Sequence, residues 1–298
     1  MTRSAITSFT GHRGAVYALA PGPGELEFLS AGGDGLVVHW RSSRPDEGSV
    51  VVNAGAAIYS LQYHDHSGRL FLGSGGGGLH VIDLVGGHEV KLMQLHRLGI
   101  FDITVLPGDR LITAGGDGTL SILDLSTLAL IRQIPLCDEK LRGLAITPDG
   151  SGIAVACGDG TIRVLDADHF NEVNTIVAHA GGATAVRFHP LKPVLLSGGK
   201  DGHLRSWHMA EGYRPIHSIA AHRAAIYSIA FRPDGTELAT ASRDKTVKRW
   251  NAGTMETLSR LDRSSGGHSH SVNAVLWMGN LLISAGDDRL VLASDHSG

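Results

Sequence analysis

The sequence predicts an all-β protein in which one structural unit is repeated seven times. An apolar residue that stands four positions after a histidine, or after the residue aligned with it, recurs at intervals of 41 to 46 residues along the 298-residue chain. Each interval also contains a phrase such as LSAGGDGLVVHW or LSGGKDGHLRSW, in which two apolar runs flank a turn centred on glycine or aspartate. Such phrases are typical of β-hairpins. A period of this length indicates a repeat array or a propeller rather than two unrelated domains.

The apolar residues that mark the repeats define the seven units. They are Val16, Ile58, Ile100, Leu141, Ala183, Ile226 and Val272. The last unit stops after its third predicted strand, and the residues after Val272 and before Val16 together make one further period. We therefore expect residues 4–9 (SAITSF) to supply the outer strand of the last unit and to close a ring, which protects otherwise open sheet edges. Residues 1–298 are expected to form a single domain.

The repeated phrases resemble those of the WD40-repeat family over almost the whole chain. The resemblance implies a seven-bladed β-propeller in which each blade is a four-stranded antiparallel sheet. The sequence departs from the family pattern at the Trp-Asp dipeptide that gives the family its name. In its place stand Trp40-Arg41, Trp207-His208 and Trp250-Asn251, while Leu123-Asp124 and Leu165-Asp166 keep only the aspartate.

Three units contain a complete set of His, Ser or Thr, Asp and Trp. A catalytic triad would need one exposed nucleophile beside an oxyanion site, whereas this set recurs and ends on an indole, whose only polar group is one N–H donor. The resemblance implies instead a buried hydrogen-bond chain that ties the loop before the innermost strand to the turn between the second and third strands. The sets are His12, Ser30, Asp34 and Trp40; His179, Ser197, Asp201 and Trp207; and His222, Thr240, Asp244 and Trp250.

The other four units contain only part of this set or none of it. The third unit has His96, Thr113 and Asp117, and the seventh has His268, Ser284 and Asp288, with His270 as an alternative to His268. The fourth unit keeps only Asp159, and the second keeps no member. We expect the second and fourth units to depend more on apolar packing.

A second group of positions is expected at the mouth of the central channel. Because the histidine loop and the aspartate turn must lie on one face, the residue five positions after each histidine stands where the chain enters the innermost strand. Three of the five tyrosines occupy such positions, although aromatic residues make up only 5% of the chain. The odd-then-even spacing of Ile226, Ile229 and Phe231 predicts a β-bulge beside Tyr227. The mouth residues are Tyr17, Tyr59, Phe101, Arg142, Thr184, Tyr227 and Asn273.

Two interpretations of these mouth residues are open. The rings either plug a dry channel or form a surface for a peptide or a cationic side chain. The residues directly before the turn aspartates are expected to form a rim around the mouth. We expect a partner segment to cross the glycine side of this rim, with Lys200 and Arg243 binding an acidic group of the partner. The rim residues are Gly33, Gly75, Gly116, Gly158, Lys200, Arg243 and Asp287.

Composition disfavours several classes of function. A net charge of −3 without a run of Lys or Arg argues against nucleic acid or an anionic membrane as the partner. The two cysteines, Cys137 and Cys157, lack the number for a disulfide framework and the CxxC spacing of a zinc site, which suits a reducing cytoplasm. The histidine pairs at 64–66 and 268–270 lack further ligands nearby. We therefore expect a cytoplasmic protein with no metal or other cofactor.

The sequence favours a non-catalytic scaffold that binds a protein or peptide partner at the channel mouth, either as a monomer or as a subunit of a hetero-complex. One alternative is a propeller enzyme with a metal in the channel, which would require several converging carboxylates. Only Asp102 stands next to the mouth series. The other alternative is a purely architectural subunit of a larger complex.

Overall fold

A computed structural model of the protein describes residues 6–297. The strands of this part of the chain form seven separate four-stranded antiparallel sheets, which we call blades 1 to 7 in chain order. The first strands of neighbouring blades contact one another in a closed cycle, so that these strands line a central axis. The predicted seven-bladed propeller is confirmed.

The strands are numbered β1 to β28 in chain order. The innermost strands of blades 1 to 7 are β2 (Val16–Pro21), β6 (Ile58–His64), β10 (Ile100–Leu106), β14 (Leu141–Ile146), β18 (Ala183–Phe188), β22 (Ile226–Phe231) and β26 (Val272–Met278). The second strands are β3 (Glu27–Gly32), β7 (Arg69–Ser74), β11 (Arg110–Gly115), β15 (Gly152–Cys157), β19 (Val194–Gly199), β23 (Glu237–Ser242) and β27 (Leu281–Gly286).

The outer half of each blade completes the sheet. The third strands are β4 (Leu36–Arg41), β8 (Gly78–Asp83), β12 (Thr119–Asp124), β16 (Thr161–Asp166), β20 (His203–His208), β24 (Val247–Asn251) and β28 (Val291–Asp295). The outermost strands of blades 1 to 6 are β5 (Arg44–Asn53), β9 (His88–Gln94), β13 (Leu130–Pro135), β17 (Glu172–Val177), β21 (Arg214–Ala220) and β25 (Thr257–Leu261), and β1 (Ile6–Phe9) belongs to blade 7.

The connections include single-turn 3₁₀ helices at Asp65–Ser67, Met209–Glu211 and Arg263–Ser265. Within residues 6–297, no helix combines the length and the apolar character that a bilayer crossing requires.

The hydrophobic cores lie between adjacent blades. In one of them Phe28 and Trp40 of blade 1 pack with Ile283 and Ala285 of blade 7. The second strand of each blade is therefore buried on both faces, which explains why these strands read as nearly continuous apolar runs. The outermost strands are largely exposed.

The ring is closed by strand β1, as predicted. It pairs antiparallel with β28, and the register places Phe9 opposite Val291. The Phe9 ring is almost fully buried and lies edge-on to Phe28 and Trp40, with ring centres 5.1 and 5.5 Å apart. Residues 4 and 5 of the predicted closing segment fall outside the described residues, and the extent of the domain over residues 1–298 stays a prediction.

A β-bulge interrupts the start of every innermost strand. In blade 6 the register shifts between Ile226 and Ser228, so that Tyr227 is the extra residue, and the bulge predicted there is confirmed. Bulges re-aim a side chain out of the regular alternation. The seven mouth residues are the bulged residues of their strands, since the equivalent shifts occur in the other six blades.

Candidate functional site at the channel mouth

Buried hydrogen-bond chains fix the loops of the face on which the mouth lies. In blade 1 the Trp40 Nε1–H donates to Ser30 Oγ at 2.8 Å, and Ser30 Oγ lies 2.8 Å from His12 Nε2. His12 Nδ1 lies 2.9 Å from the Asp34 carboxylate. With the proton on Nδ1, every polar hydrogen along this chain has an acceptor. The arrangement is therefore structural, and its serine is buried rather than exposed as a nucleophile.

The same chain occurs in other blades. Complete chains run through His179, Ser197, Asp201 and Trp207 in blade 5 and through His222, Thr240, Asp244 and Trp250 in blade 6. Shorter chains without a tryptophan join His96, Thr113 and Asp117 in blade 3 and His268, Ser284 and Asp288 in blade 7. His268 rather than His270 occupies the network position of blade 7.

The network aspartates also bind the backbone of the preceding loop. The Arg13 N–H donates to Asp34 Oδ2 at 2.8 Å, and the Arg223 N–H donates to Asp244 Oδ2 at 3.0 Å. These bonds hold the residue directly after the network histidine. The bulged mouth residue comes four positions later, so the network positions the mouth side chains.

The network combines ionised carboxylates with neutral imidazoles. Burial on its own raises the pKa of Asp201, but hydrogen bonds from Arg205 and His179 lower it to about 2. Burial lowers the pKa of His96 and His179, although their aspartate partners oppose this. Both kinds of shift oppose protonation of the folded state.

We expect the free energy of unfolding to decrease as the pH falls from about 7.5 to about 5. The depressed pKa values of His96 and His179 mean that the unfolded chain takes up protons first as the pH passes below about 6.5. A second loss is expected below about pH 4, where aspartates protonate. Urea unfolding across this range measures the slope. His179→Asn should flatten it, and His66→Ala, at an exposed position, should not; a stability that is constant from about pH 7.5 to about 5 would contradict the assignment.

The structure brings all ten predicted partner-binding residues to one cavity. This cavity has a volume of about 660 Å³, and a second cavity of about 420 Å³ continues from it along the innermost strands. The wall of the larger cavity includes Tyr17, Tyr59, Phe101, Arg142, Thr184, Tyr227, Asn273, Lys200, Arg243 and Asp287, together with Lys140.

One half of the cavity wall is aromatic. The Tyr17 and Tyr59 rings meet edge to face with centres 5.2 Å apart, and Tyr59 stacks on Phe101 at 5.4 Å with an interplanar angle of 4°. Glycine at the rim makes room for this row, because a Cβ on Gly116 would come within 2.8 Å of the Phe101 ring. The rings therefore form one continuous wall across blades 1 to 3.

The other half of the wall carries positive charge. Arg142 places its guanidinium 4.2 Å from the centre of the Phe101 ring, and Lys140 approaches the same ring at 5.8 Å. Burial lowers the pKa of Arg142. Among residues 6–297 no carboxylate forms an ion pair with these two side chains or with Lys200 and Arg243. These four cationic groups thus form no ion pair with Asp287, the carboxylate that shares the cavity wall with them.

Two mouth residues brace neighbouring blades instead of facing solvent. The Thr184 side chain is buried, and its hydroxyl contacts the Ile226 carbonyl of the next blade. The Asn273 amide donates to the Val16 carbonyl at 2.9 Å and to Asp287 Oδ1 at 2.8 Å. The carboxylate of Asp287 is therefore already paired. Tyr227 is the most exposed of the mouth rings, at 37%.

Lys140 was not among the residues predicted from the sequence. It stands immediately before the apolar residue that marks unit 4. The corresponding residues of the other units are all small. A lysine at this position is therefore a signal in the sequence that could have identified it as a site residue. They are Ala15, Ala57, Gly99, Gly182, Ala225 and Ser271.

The channel offers few ligands for a metal. Asp102 projects there, and its carboxylate accepts backbone N–H groups of Leu144 at 2.8 Å and of Ile103 at 2.9 Å. Burial raises the pKa of Asp102. In the histidine pair of blade 2, the rings of His64 and His66 lie 6.3 Å apart, and no third ligand joins them within the described residues.

The fold and these buried networks define a seven-bladed propeller of repeated blades with an open cavity on the face of the histidine loops. A family model described as "WD domain, G-beta repeat" matches residues 3–41, 132–166, 170–208 and 213–251, which is half of the chain. The chain belongs to the WD40 family.

Curated relatives match part of the chain. It is 29% identical over 157 residues to WD repeat-containing protein 90 of Xenopus tropicalis, covering 50% of this chain and 8% of that protein. It is 32% identical over 116 residues to Protein groucho of Drosophila melanogaster, covering 38% of this chain and 16% of that protein. It is 26% identical over 135 residues to Eukaryotic translation initiation factor 3 subunit I of Caenorhabditis elegans, covering 40% of this chain and 41% of that protein. The matches thus span less than half the length of each of these relatives.

Proposed function

We propose that this protein is a non-catalytic scaffold that binds an extended acidic segment of a partner protein across the channel mouth. The observation that carries the proposal is the combination, in one cavity, of an aromatic wall with four cationic side chains that form no ion pair with a carboxylate among the described residues. A cytoplasmic location is part of the proposal and is supported by the two free cysteines.

The aromatic wall suits a peptide segment. Tyrosine and phenylalanine offer a large contact area and lose little side-chain freedom on binding, because their rings are already held by one another. The glycine side of the rim leaves space for a partner backbone to approach these rings. The aromatic wall therefore supplies contact area for the partner segment, while the charged half of the cavity sets the orientation of that segment.

The charges favour an acidic partner over a cationic one. A cationic side chain would bind best on a free aromatic face, but Arg142 already covers one face of Phe101. The guanidinium is partly buried, and a buried charge is unfavourable until a counter-charge pairs with it. A carboxylate of the partner can accept two parallel N–H bonds from Arg142. Lys140, Lys200 and Arg243 then add attraction at the rim.

The relatives support a role in an assembly without fixing it. One of them is named a subunit of a translation initiation factor. A protein that joins such an assembly would present its face to a neighbouring chain. Whether this propeller acts alone or within a hetero-complex is part of the same proposal.

Peptide binding tests the proposal directly. Short labelled peptides with alternating aromatic and Asp/Glu residues are titrated against the protein and compared with peptides in which Lys replaces the acids. We expect the acidic peptides to bind preferentially, with an affinity that falls as salt is added. Tyr17→Ala/Tyr227→Ala should weaken this binding at least about tenfold, since each ring contributes about 1 kcal/mol or more.

Charge variants supply the matched control. Lys200→Ala/Arg243→Ala should weaken binding of the acidic peptide, whereas Lys192→Ala/Arg44→Ala, outside the cavity wall, should not. Equal binding by the wild type and the tyrosine variant, or a preference for the basic peptides, would sink the proposal. Co-purification of a complex that survives both mouth variants would indicate an architectural subunit instead.

A further inference from the structure

Blade 4 replaces the histidine network by a pair of cysteines. Cys137 stands at the position of the network histidine, four residues before the start of β14. Cys157 stands two residues before the turn aspartate, Asp159. In the five blades with a network histidine this second position is a glycine or, in blade 6, a serine: Gly32, Gly115, Gly199, Ser242 and Gly286.

The two substitutions are coupled by steric fit. In blades 3 and 5 a Cβ on Gly115 or Gly199 would overlap the ring of His96 or His179. In these two blades a side chain at this position is therefore incompatible with the imidazole beside it. In blade 4 the smaller side chain of Cys137 in place of a histidine leaves space for Cys157, and the two thiols lie close to each other.

The geometry brings two sulfur atoms and a carboxylate together. Cys137 Sγ, Cys157 Sγ and a carboxylate oxygen of Asp159 all lie within 4.8 Å of one another. Zn²⁺ binds thiolate sulfur at about 2.3 Å and carboxylate oxygen at about 2.0–2.2 Å. Only small movements would bring the three atoms to those distances from one ion.

Asp159 is less engaged than the aspartates of the histidine blades. Its Oδ1 accepts the Thr161 N–H at 2.8 Å and the Thr161 hydroxyl at 2.7 Å. Its Oδ2 faces Arg163 at 3.5 Å, and within the described residues no hydrogen bond reaches it. Arg163 is itself held by both carboxylate oxygens of Glu172 at 3.2 Å. Oδ2 is thus held only by this ion pair, and Arg163 keeps its bonds to Glu172 if a metal ion replaces it at Oδ2.

The site has a route to solvent. Cys157 is fully buried, whereas Cys137 is half-buried at the edge of an open cavity of about 600 Å³. Asp138 and Glu139 line that cavity and make its entrance acidic. A cation could enter from this side and retain a water molecule from the cavity.

We propose that Cys137, Cys157 and Asp159 bind one thiophilic divalent cation of the Zn²⁺ class, with a fourth position open to water. Two sulfur ligands favour such a cation over Mg²⁺ or Ca²⁺, which prefer oxygen. Each thiol that binds releases its proton to solvent. The ion would tie the loop before β14 to the turn after β15, the task that the histidine chain performs in other blades.

For the two cysteines, the expectation from the sequence that they bind no zinc rested on their spacing. The two cysteines do not have the CxxC spacing of a zinc knuckle. Cys137 lies in the loop before β14, and Cys157 is the last residue of β15. The fold brings them together across the blade.

Titration of the fully reduced protein with Cd²⁺ tests the site. The chain has only two cysteines, so thiolate-to-metal charge-transfer absorption reports this pair alone. We expect saturation at one equivalent, an intensity corresponding to two thiolates, and loss of the band when Zn²⁺ competes. Asp159→Asn should keep the intensity and weaken binding about tenfold. His64→Ala/His66→Ala should leave the titration unchanged.

Two further measurements guard against a folding defect. Cys137→Ser should bind more weakly with about half the intensity, as expected when one of two sulfur ligands is lost. Without any substitution, Zn²⁺ should slow alkylation of both thiols in the wild type. Absence of the band at stoichiometric Cd²⁺, or unchanged binding in Asp159→Asn, would overturn the three-ligand site. The site would also be overturned if the reduced protein bound no metal and the two cysteines readily formed a disulfide on exposure to air.

Discussion

Trp250→Ala is expected to lower the free energy of unfolding by about 3–5 kcal/mol, the cost of truncating a buried aromatic side chain. The indole is 2% exposed and packs in the core between blades 5 and 6. Its Nε1–H donates to Thr240 Oγ1 at 2.9 Å, so that the substitution also shortens the buried chain. Urea unfolding measures the change, and Trp40→Ala and Trp207→Ala should behave alike.

Trp277 provides the matched control. It is buried in blade 7, but its Nε1–H has no hydrogen-bond partner within the described residues. Replacing tryptophan by phenylalanine preserves most of the apolar contact at either position. Trp250→Phe should therefore cost about 1 kcal/mol more than Trp277→Phe, the typical net value of one hydrogen bond. Equal costs would show that the indole bond contributes nothing to blade 6.

Deletion of residues 1–10 is expected to lower the melting temperature by about 10 °C. The deletion removes β1, exposes the edge of β28 and leaves the space of Phe9 empty. Burial of the phenylalanine contributes about 3 kcal/mol, and the strand hydrogen bonds contribute about 2 kcal/mol. A change of 1 kcal/mol corresponds to about 2 °C in a chain of this size. Scanning calorimetry measures the shift.

Single substitutions separate the two contributions. Phe9→Ala should produce more than half of the loss, because the ring contacts both Phe28 and Trp40. Ser8→Ala, at an exposed position of the same strand, should leave the melting temperature within about 1 °C. The truncated protein should also aggregate more readily, since the bare edge of β28 can pair with another chain. An unchanged melting curve after deletion would count against closure by β1.

The fold was predictable because repetition multiplies weak local signals. A single turn such as that at Asp34 says little, but similar phrases at a constant interval fix the number of blades and the direction of each strand. The bulge was predictable for a related reason. Ile226, Ile229 and Phe231 cannot share one face of a regular strand, and the extra residue at Tyr227 resolves the conflict.

Other parts of the site depend on contacts that the local sequence pattern does not predict. Asn273 occupies a mouth position, yet its amide binds the carbonyl of Val16, which lies in the first blade. The Cys137–Cys157 pair likewise depends on how a loop and a strand end meet in three dimensions. Lys140 is the one large residue at its position in the repeats, but only the structure shows that its ammonium approaches the Phe101 ring of the preceding blade.

The pairing of β1 with β28 has a consequence for biosynthesis. A ribosome makes Phe9 before the first strand of blade 1 and its neighbour Val291 only after six complete blades have been made. Blades 1 to 6 can each form a sheet from strands that are made one after another. Blade 7 instead combines its own three strands with β1, which was made before blade 1. Contacts between such distant positions are slow to form, and β1 stays without its partner strand until β28 has been made.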